Sequence, residues 1–307
     1  MTAAGEPRLV VAIMGPTAAG KTQMAVSLAR ALGGELVNAD SRQAIAELAV
    51  GVCKPGPVEL GEVTCHGLDW RHLGDRFTVA NFVHRAAQQL DDCWSRGRMP
   101  ILVGGSGLYV RALLEGFDFG ASGQVAETRS PAAVPDLDRA LHELRSLAPQ
   151  RYLEVDRRNP RRVGRALELA RSGVVASRRT TAWEAIRIGC GVAPQTLRDR
   201  IEKRSEEIVG PGLRREVEEL LRAGFPASLI AEAAIGYREA LAWMAGQITR
   251  DSAVARVKQR TWRYARTQMT WLRKEPDLVW IDAGAQPAEV LESALRMVER
   301  RLIKEAN

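Results

Sequence analysis

With 307 residues, 46% of them hydrophobic and 26% charged, the chain can bury the core of one large or two modest domains, so disorder is excluded as its default. An aromatic share of 5% argues against a secreted sandwich or a membrane barrel, and no apolar run approaches the roughly 18–20 residues of a membrane helix. The net charge is +7 and the basic residues are mostly arginine, which bunches between Arg151 and Arg179 and again between Arg256 and Lys274, a pattern that suits a polyanionic partner and equally suits solvated helix faces.

In chain order, Leu9-Val-Val-Ala-Ile-Met14 is a continuous apolar run, the pattern of a strand buried on both faces. Gln23–Leu32 has helical spacing, Glu35–Ala39 predicts a second strand ending at Asp40, Val79–Trp94 a helix, and Pro100–Val103 a third strand. This β-α-β-α-β order predicts a doubly wound parallel sheet with right-handed crossovers, the second strand beside the first and a further strand at Leu278–Ile281. From Gly120 to Pro135 the composition shifts to Gly, Ser, Ala and Pro, a loop or linker. Helices follow at Asp136–Leu147, Arg161–Arg171, Gln195–Val209, Leu213–Ala223, Arg238–Ala245, Ser252–Arg273 and Glu289–Ile303, with stops at Gly173, Gly210-Pro211 and Gly224. The expected class is α/β: a phosphate-binding core over 1–120, a helical insertion over 121–200, and C-terminal helices with a strand over 201–307 completing the core.

Gly15-Pro-Thr-Ala-Ala-Gly-Lys-Thr22 fits G-x-x-x-x-G-K-[ST] directly after the first strand and before a helix. Its glycines turn backbone N–H groups onto phosphate oxygens, the helix N-terminus adds partial positive charge, Lys21 neutralises, and the Thr22 hydroxyl can hold Mg²⁺. Asp40 lies at the carboxyl end of the second strand, where such sheets place ligands and where a carboxylate can take a proton from a nucleophile; a capping aspartate is the plainer reading. The third strand runs into Gly104 rather than an acid, so the second Mg²⁺ anchor of a nucleotide hydrolase is missing there. Asp282 after the late strand has the look of a turn former. Gly104-Gly-Ser-Gly-Leu-Tyr109 is a second glycine-rich turn at the same edge, with Ser106 available to donate to a base or phosphate.

Arg161 and Arg165 stand one turn apart on a helix, a reach suited to backbone phosphates or to solvent. In 252–273, Val254, Val257, Thr261, Ala265, Met269 and Leu272 make an apolar stripe beside Arg256, Arg260 and Arg263; Trp262, Tyr264 and Trp271 are stacking surfaces or core. Cys53, Cys65, Cys93 and Cys190 form no Cys-x-x-Cys pair and read as reduced, and Cys53, Cys65, His66 and His72 fit no standard zinc spacing. The start lacks a basic segment before an apolar stretch, so a cytoplasmic protein is expected.

Taken together, the phosphate loop, Asn38-Ala-Asp-Ser-Arg-Gln43, Pro100–Tyr109, Arg165-Ala-Leu-Glu168, Ala234-Ile-Gly-Tyr237 and Arg263-Tyr-Ala-Arg-Thr-Gln-Met-Thr-Trp271 resemble the tRNA dimethylallyltransferases in order and spacing. The resemblance spans residues 9 to 273. It implies transfer of a dimethylallyl group from dimethylallyl diphosphate to N6 of the adenosine after the anticodon, position 37, by a monomer acting on the anticodon stem-loop. The loop residues Gly15, Pro16, Thr17, Ala18, Ala19, Gly20, Lys21 and Thr22 would then hold the diphosphate rather than ATP, with Mg²⁺ at Thr22. By the same resemblance Asp40 is the proton acceptor, Thr17 and Lys21 stand near the reacting centre, and Ser41, Arg42, Gln43 and Ser106 contact the extruded base and its neighbours. Arg161, Arg162 and Arg165 match the family's anticodon-stem segment.

Departures from the family pattern fall at Ala44-Ile-Ala-Glu47, Gly51-Val-Cys-Lys-Pro55, Thr64-Cys-His-Gly-Leu68 and in a short stretch between Gly120 and Arg158. Ser106 stands where a threonine is usual. Three other readings stay open: an AMP prenyltransferase with the same core and no anticodon grip, a small-molecule kinase that turns over ATP, and an RNA-binding protein whose catalysis has decayed.

Overall fold

In the computed structural model, which describes residues 8–118, 134, 136–171, 177–178, 181 and 183–306, the chain divides into two compact units. One comprises Met1–Leu114 with Thr181–Asn307, the other Glu115–Thr180. The first unit begins with β1 (Leu9–Met14), α1 (Lys21–Leu32), β2 (Glu35–Asn38), α2 (Pro57–Leu60), β3 (Cys65–His66), α3 (Val79–Ser95), β4 (Pro100–Gly104) and α4 (Gly107–Leu114). The second holds β5 (Phe117–Asp118), α5 (Leu137–Leu147), α6 (Pro149–Glu154), α7 (Pro160–Arg171) and β6 (Ser177–Arg178). The chain then re-enters the first unit with β7 (Glu184–Gly191), α8 (Pro194–Ile208), α9 (Pro211–Arg222), α10 (Ala227–Ala233), α11 (Tyr237–Met244), α12 (Arg250–Leu272), β8 (Val279–Asp282) and α13 (Pro287–Ala306).

Every residue of β1 is buried, because successive side chains point to opposite faces and helices cover both. Leu9, Val11 and Ile13 pack with Met24 and Leu28 of α1 and Ala294 and Val298 of α13. Val10, Ala12 and Met14 pack on the other face with Phe82, Ala86 and Leu90 of α3, Val110 and Leu113 of α4, and Leu272 of α12. The sheet has the order β3-β2-β4-β1-β7-β8, all pairs parallel.

Two expectations are corrected by this topology. β2 does not lie beside β1: the first crossover skips one position and β4 fills it, which sets the two glycine-rich turns side by side at the carboxyl edge. Residues 181–200, placed by sequence in the insertion, belong to the first unit, and 184–191 is a central strand paired with both β1 and β8. That strand escaped the hydrophobic pattern because Arg187 interrupts it and Gly189 replaces a side chain. Arg187 lies 3.6 Å from the buried Glu275, and a Cβ at Gly189 would lie 2.8 Å from the Trp280 ring.

In the second unit, Ala140 and Leu144 of α5 pack on Val163 and Leu167 of α7. Arg171 grips Glu143 with two hydrogen bonds of 2.7 Å. The expected helix stop at Gly173 and most of the 120–135 linker lie outside the described residues.

Candidate active site

The turn from β1 into α1 forms because Gly15 and Gly20 stand where side chains would obstruct or strain it. A Cβ on Gly15 would lie 3.0 Å from Cβ of Cys190, and Gly20 has φ 95°. Ala18 also adopts a positive φ of 64°. The Pro16 carbonyl accepts from Lys21 Nζ at 2.8 Å and from Ala19 N at 3.3 Å, closing the loop on itself. From α8, Arg200 donates to the Ala19 carbonyl at 3.3 Å and to the Ala283 carbonyl at 3.2 Å. From α12, the Gln268 side chain accepts from Thr17 N at 2.8 Å and donates to the Gly105 carbonyl at 3.0 Å.

A cavity of about 300 Å³ opens over this loop. Thr17, Ala18, Gly20, Lys21 and Thr22 form its floor, Asn38, Asp40 and Gln43 one wall, Lys54 and Glu59 another, and Arg204 and Gln268 close it. Burial pulls the Lys21 ammonium below lysine's ordinary value, with Arg204 adding to the fall and Asp40 opposing it. Two cations line one partly desolvated space, which suits an anion of more than one charge. Burial pushes the Cys190 thiol beneath the loop up to about 12, so it stays a neutral packing group.

Asp40 is fixed by its own segment. Asn38 Oδ1 accepts from Asp40 N at 3.1 Å, and Asp40 Oδ1 accepts from Arg42 N at 2.9 Å and Gln43 N at 3.5 Å. This side-chain turn spends one carboxylate oxygen on the backbone. Oδ2 has no hydrogen bond among the described residues. The Gln43 amide donates to the carbonyls of Val52 and Cys53 at 3.3 and 2.9 Å. The loop after it is pinned by buried Glu216 of α9, whose carboxylate accepts from Ala49 N, Val50 N and Gly51 N at 2.7, 2.8 and 3.2 Å and from the Tyr237 hydroxyl at 2.5 Å. Tyr237, from the Ala234–Tyr237 motif, is thus a buried prop of the cavity wall.

The sequence-selected residues do not all converge. Gly15, Pro16 and Ala19 shape the loop from behind. Ser106 Oγ accepts from Ser41 N at 3.0 Å, so its hydroxyl holds the Asp40 segment instead of standing free. A Cβ on neighbouring Gly104 would fall 2.3 Å from the Ala39 carbonyl oxygen, so β4 and the end of β2 meet through glycine. Arg42 is exposed and outside the cavity lining. Arg161, Arg162 and Arg165 sit on α7 of the second unit; Arg165 is paired with Glu168 at 2.7 Å and Arg162 lies 3.6 Å from Asp156.

Of the residues weighed from sequence as zinc ligands, His66 pairs with Glu35 at 2.7 Å and His72 with Glu47 at 2.8 Å. Asp282 does form a turn, accepting from Gly284 N at 2.8 Å. Trp262 lies under the Arg198 guanidinium, and Trp271 packs so closely on Gly107 that a Cβ there would be 2.5 Å away.

Arg200, Arg204, Lys54 and Gln268 were not selected from sequence. Arg200 and Arg204 are one turn apart and each follows a buried stripe residue, Leu197 or Ile201, by three positions; that flanking placement was the available signal. Gln268 was inside a recognised motif with no role attached.

Comparison with known proteins places the chain in a family. The family model described as IPP transferase matches residues 43–275. The tRNA dimethylallyltransferase 1 of Pelobacter propionicus is 35% identical over 320 residues, covering 97% of this chain and all of that protein. The tRNA dimethylallyltransferase of Thermomicrobium roseum is 36% identical over 307 residues, covering 97% of this chain and 93% of the other. Among solved structures, the tRNA isopentenylpyrophosphate transferase of Bacillus halodurans superposes with a TM-score of 0.72 at 28% identity, over 97% of this chain and 98% of that one. A eukaryotic dimethylallyltransferase acting on tRNA reaches a TM-score of 0.77 at 21% identity, over 90% and 74%, a likeness of fold. With a family model matched over most of its length and relatives aligned nearly end to end, the chain belongs to the IPP transferase family, alongside the tRNA dimethylallyltransferases.

Proposed function

We propose that this protein transfers the dimethylallyl group of dimethylallyl diphosphate to N6 of adenosine 37 in the anticodon stem-loop of tRNA. The observation that carries the reading is a single cavity lined by a phosphate loop, by two cations, Lys21 and Arg204, and by a carboxylate with one unengaged oxygen, Asp40 Oδ2. The relatives' names supply the substrate class.

In this reading the first turn of α1, Lys21 and Arg204 bind the diphosphate. As the bond from C1 to oxygen breaks, negative charge grows on the departing diphosphate, and those groups stabilise it. The adenine amine attacks C1 through its nitrogen, and Asp40 Oδ2 takes the N6 proton as the new C–N bond forms. The short Asp40 segment, anchored by Asn38 and Ser106, keeps that oxygen in place. An adenine stacked in an RNA loop cannot enter a cavity of this size, so the nucleotide is extruded. Thr17 lines the reacting end, with its backbone already fixed by Gln268.

Mg²⁺ fits the donor set: the Thr22 hydroxyl, without a hydrogen bond among the described residues, lines the same cavity as Asp40 and Glu59. Magnesium is commonly held by few protein oxygens together with substrate phosphates and water. When bound, it would neutralise charge on the leaving diphosphate. Arg42 at the rim and Arg161, Arg162 and Arg165 on α7 supply cations for the RNA backbone. No helix among the described residues is long and apolar enough to cross a membrane, and we place the monomeric enzyme in the cytoplasm with its RNA substrate.

The test is to incubate the protein with Mg²⁺, dimethylallyl diphosphate and either unmodified tRNA or AMP, then digest and weigh the adenosine. A prenyl mass on tRNA alone is expected. Product on AMP alone would make this an adenylate prenyltransferase, and ATP hydrolysis without either product would make it a kinase-type enzyme.

A further inference from the structure

Gln268 carries no charge, is 2% exposed, and yet uses both ends of its amide on two glycine-rich turns. The Gly105 turn is shaped around it: a Cβ there would lie 2.3 Å from Nε2. Loops of Walker form bind polyphosphates through successive backbone N–H groups along the loop, followed by the helix N-terminus. Here two of the loop's donors are engaged within the protein. Thr17 N is held by Gln268 at 2.8 Å, and Ala19 N faces the Pro16 carbonyl at 3.3 Å. What remains for an anion is Ala18 N–H, Gly20 N–H and the first turn of α1, whose N–H groups have no intrahelical partners, with Lys21 and Arg204 lining the same cavity.

We infer that Gln268 is a specificity-determining positioning residue: by occupying Thr17 N–H it shortens the anion nest to the span of a diphosphate and discriminates against triphosphates, nucleoside triphosphates included. This rests on the proposed reading of the cavity as a diphosphate site. It accounts for a loop of nucleotide-binding form serving a ligand with one phosphate fewer. The buried amide suits the task because it accepts from Thr17 without adding negative charge beside the anion, as a carboxylate would.

The experiment is isothermal titration of the full chain with inorganic pyrophosphate and with tripolyphosphate, each with Mg²⁺. In Gln268→Met, which keeps volume and removes both hydrogen bonds, the affinity ratio should move toward tripolyphosphate by about tenfold, the effect of one hydrogen bond to a charged oxygen. In Gln268→Glu, which keeps an oxygen for Thr17 N–H and adds a negative charge, the ratio should not move toward tripolyphosphate. An unchanged ratio in a Gln268→Met protein with a wild-type melting temperature overturns the inference, as does an equal shift in both variants.

A measurement on the wild type guards against a variant that does not fold. On adding pyrophosphate, the amide resonances of Lys21 and Thr22 should shift while that of Thr17 stays put; a comparable shift at Thr17 overturns the inference. A wild-type protein that binds neither anion overturns the diphosphate reading itself, a failure distinct from an unchanged ratio.

Discussion

The cations of the cavity and those of α7 are the same residue types put to different physical use. Lys21 and Arg204 come from elements far apart in sequence and line one partly desolvated space, where burial, with Arg204 adding to it, lowers the Lys21 pKa. Arg162 and Arg165 are consecutive-turn residues on a helix surface, with Asp156 and Glu168 already beside them. Exposed pairs of that sort contribute little to stability and exchange a carboxylate for a phosphate at small cost, so α7 suits graded, salt-sensitive affinity. Half-buried cations lining one cavity suit a ligand of fixed size and charge. Arginine content alone does not separate the two; convergence does.

The comparison is broken most severely by removing the chemistry and leaving the charges. Asp40→Ala should cut turnover by roughly 10²–10⁴, the range for a general base, while tRNA affinity measured by filter binding stays nearly unchanged; equal losses of binding and rate would remove Asp40 from that role. Next, Arg204→Ala should lower kcat/KM for dimethylallyl diphosphate by about 10–100-fold, the value of a charge-assisted hydrogen bond, without altering the salt slope of tRNA binding.

A pH profile sharpens the same point. Because burial lowers the Lys21 pKa, its ammonium is present at low pH and lost as pH rises through the lowered value. The alkaline limb of kcat/KM should therefore fall below lysine's ordinary value of about 10.4. The smallest effect is expected on α7: Arg161→Ala with Arg165→Ala should weaken tRNA binding and flatten log K against log salt by a slope of about 1–2, leaving the diphosphate KM as it was. An unchanged slope would move the RNA surface away from α7.

Much of the first unit was legible from pattern. A six-residue apolar run followed by the glycine-lysine-threonine loop could be one thing only, because a strand buried on both faces must be apolar throughout and a phosphate nest must be built from backbone. The long helices were legible for the matching reason, their stripes repeating at the helical period. β7 was not, since Arg187 is tolerated mid-strand by a buried carboxylate, Glu275, that lies 88 positions later.

At the site, the sequence by itself determined the loop and the position of Asp40, since both depend on neighbours within a few residues: a turn, a helix start, an aspartate capping its own segment. Only the tertiary structure decided what those groups face. It brought Arg204 from α8 to Lys21, used Ser106 to hold Ser41 rather than a ligand, and placed Gln268 between two turns 163 and 251 residues away. A side chain's local pattern records which face of its element it occupies, and carries no record of the partner that long-range packing sets against it.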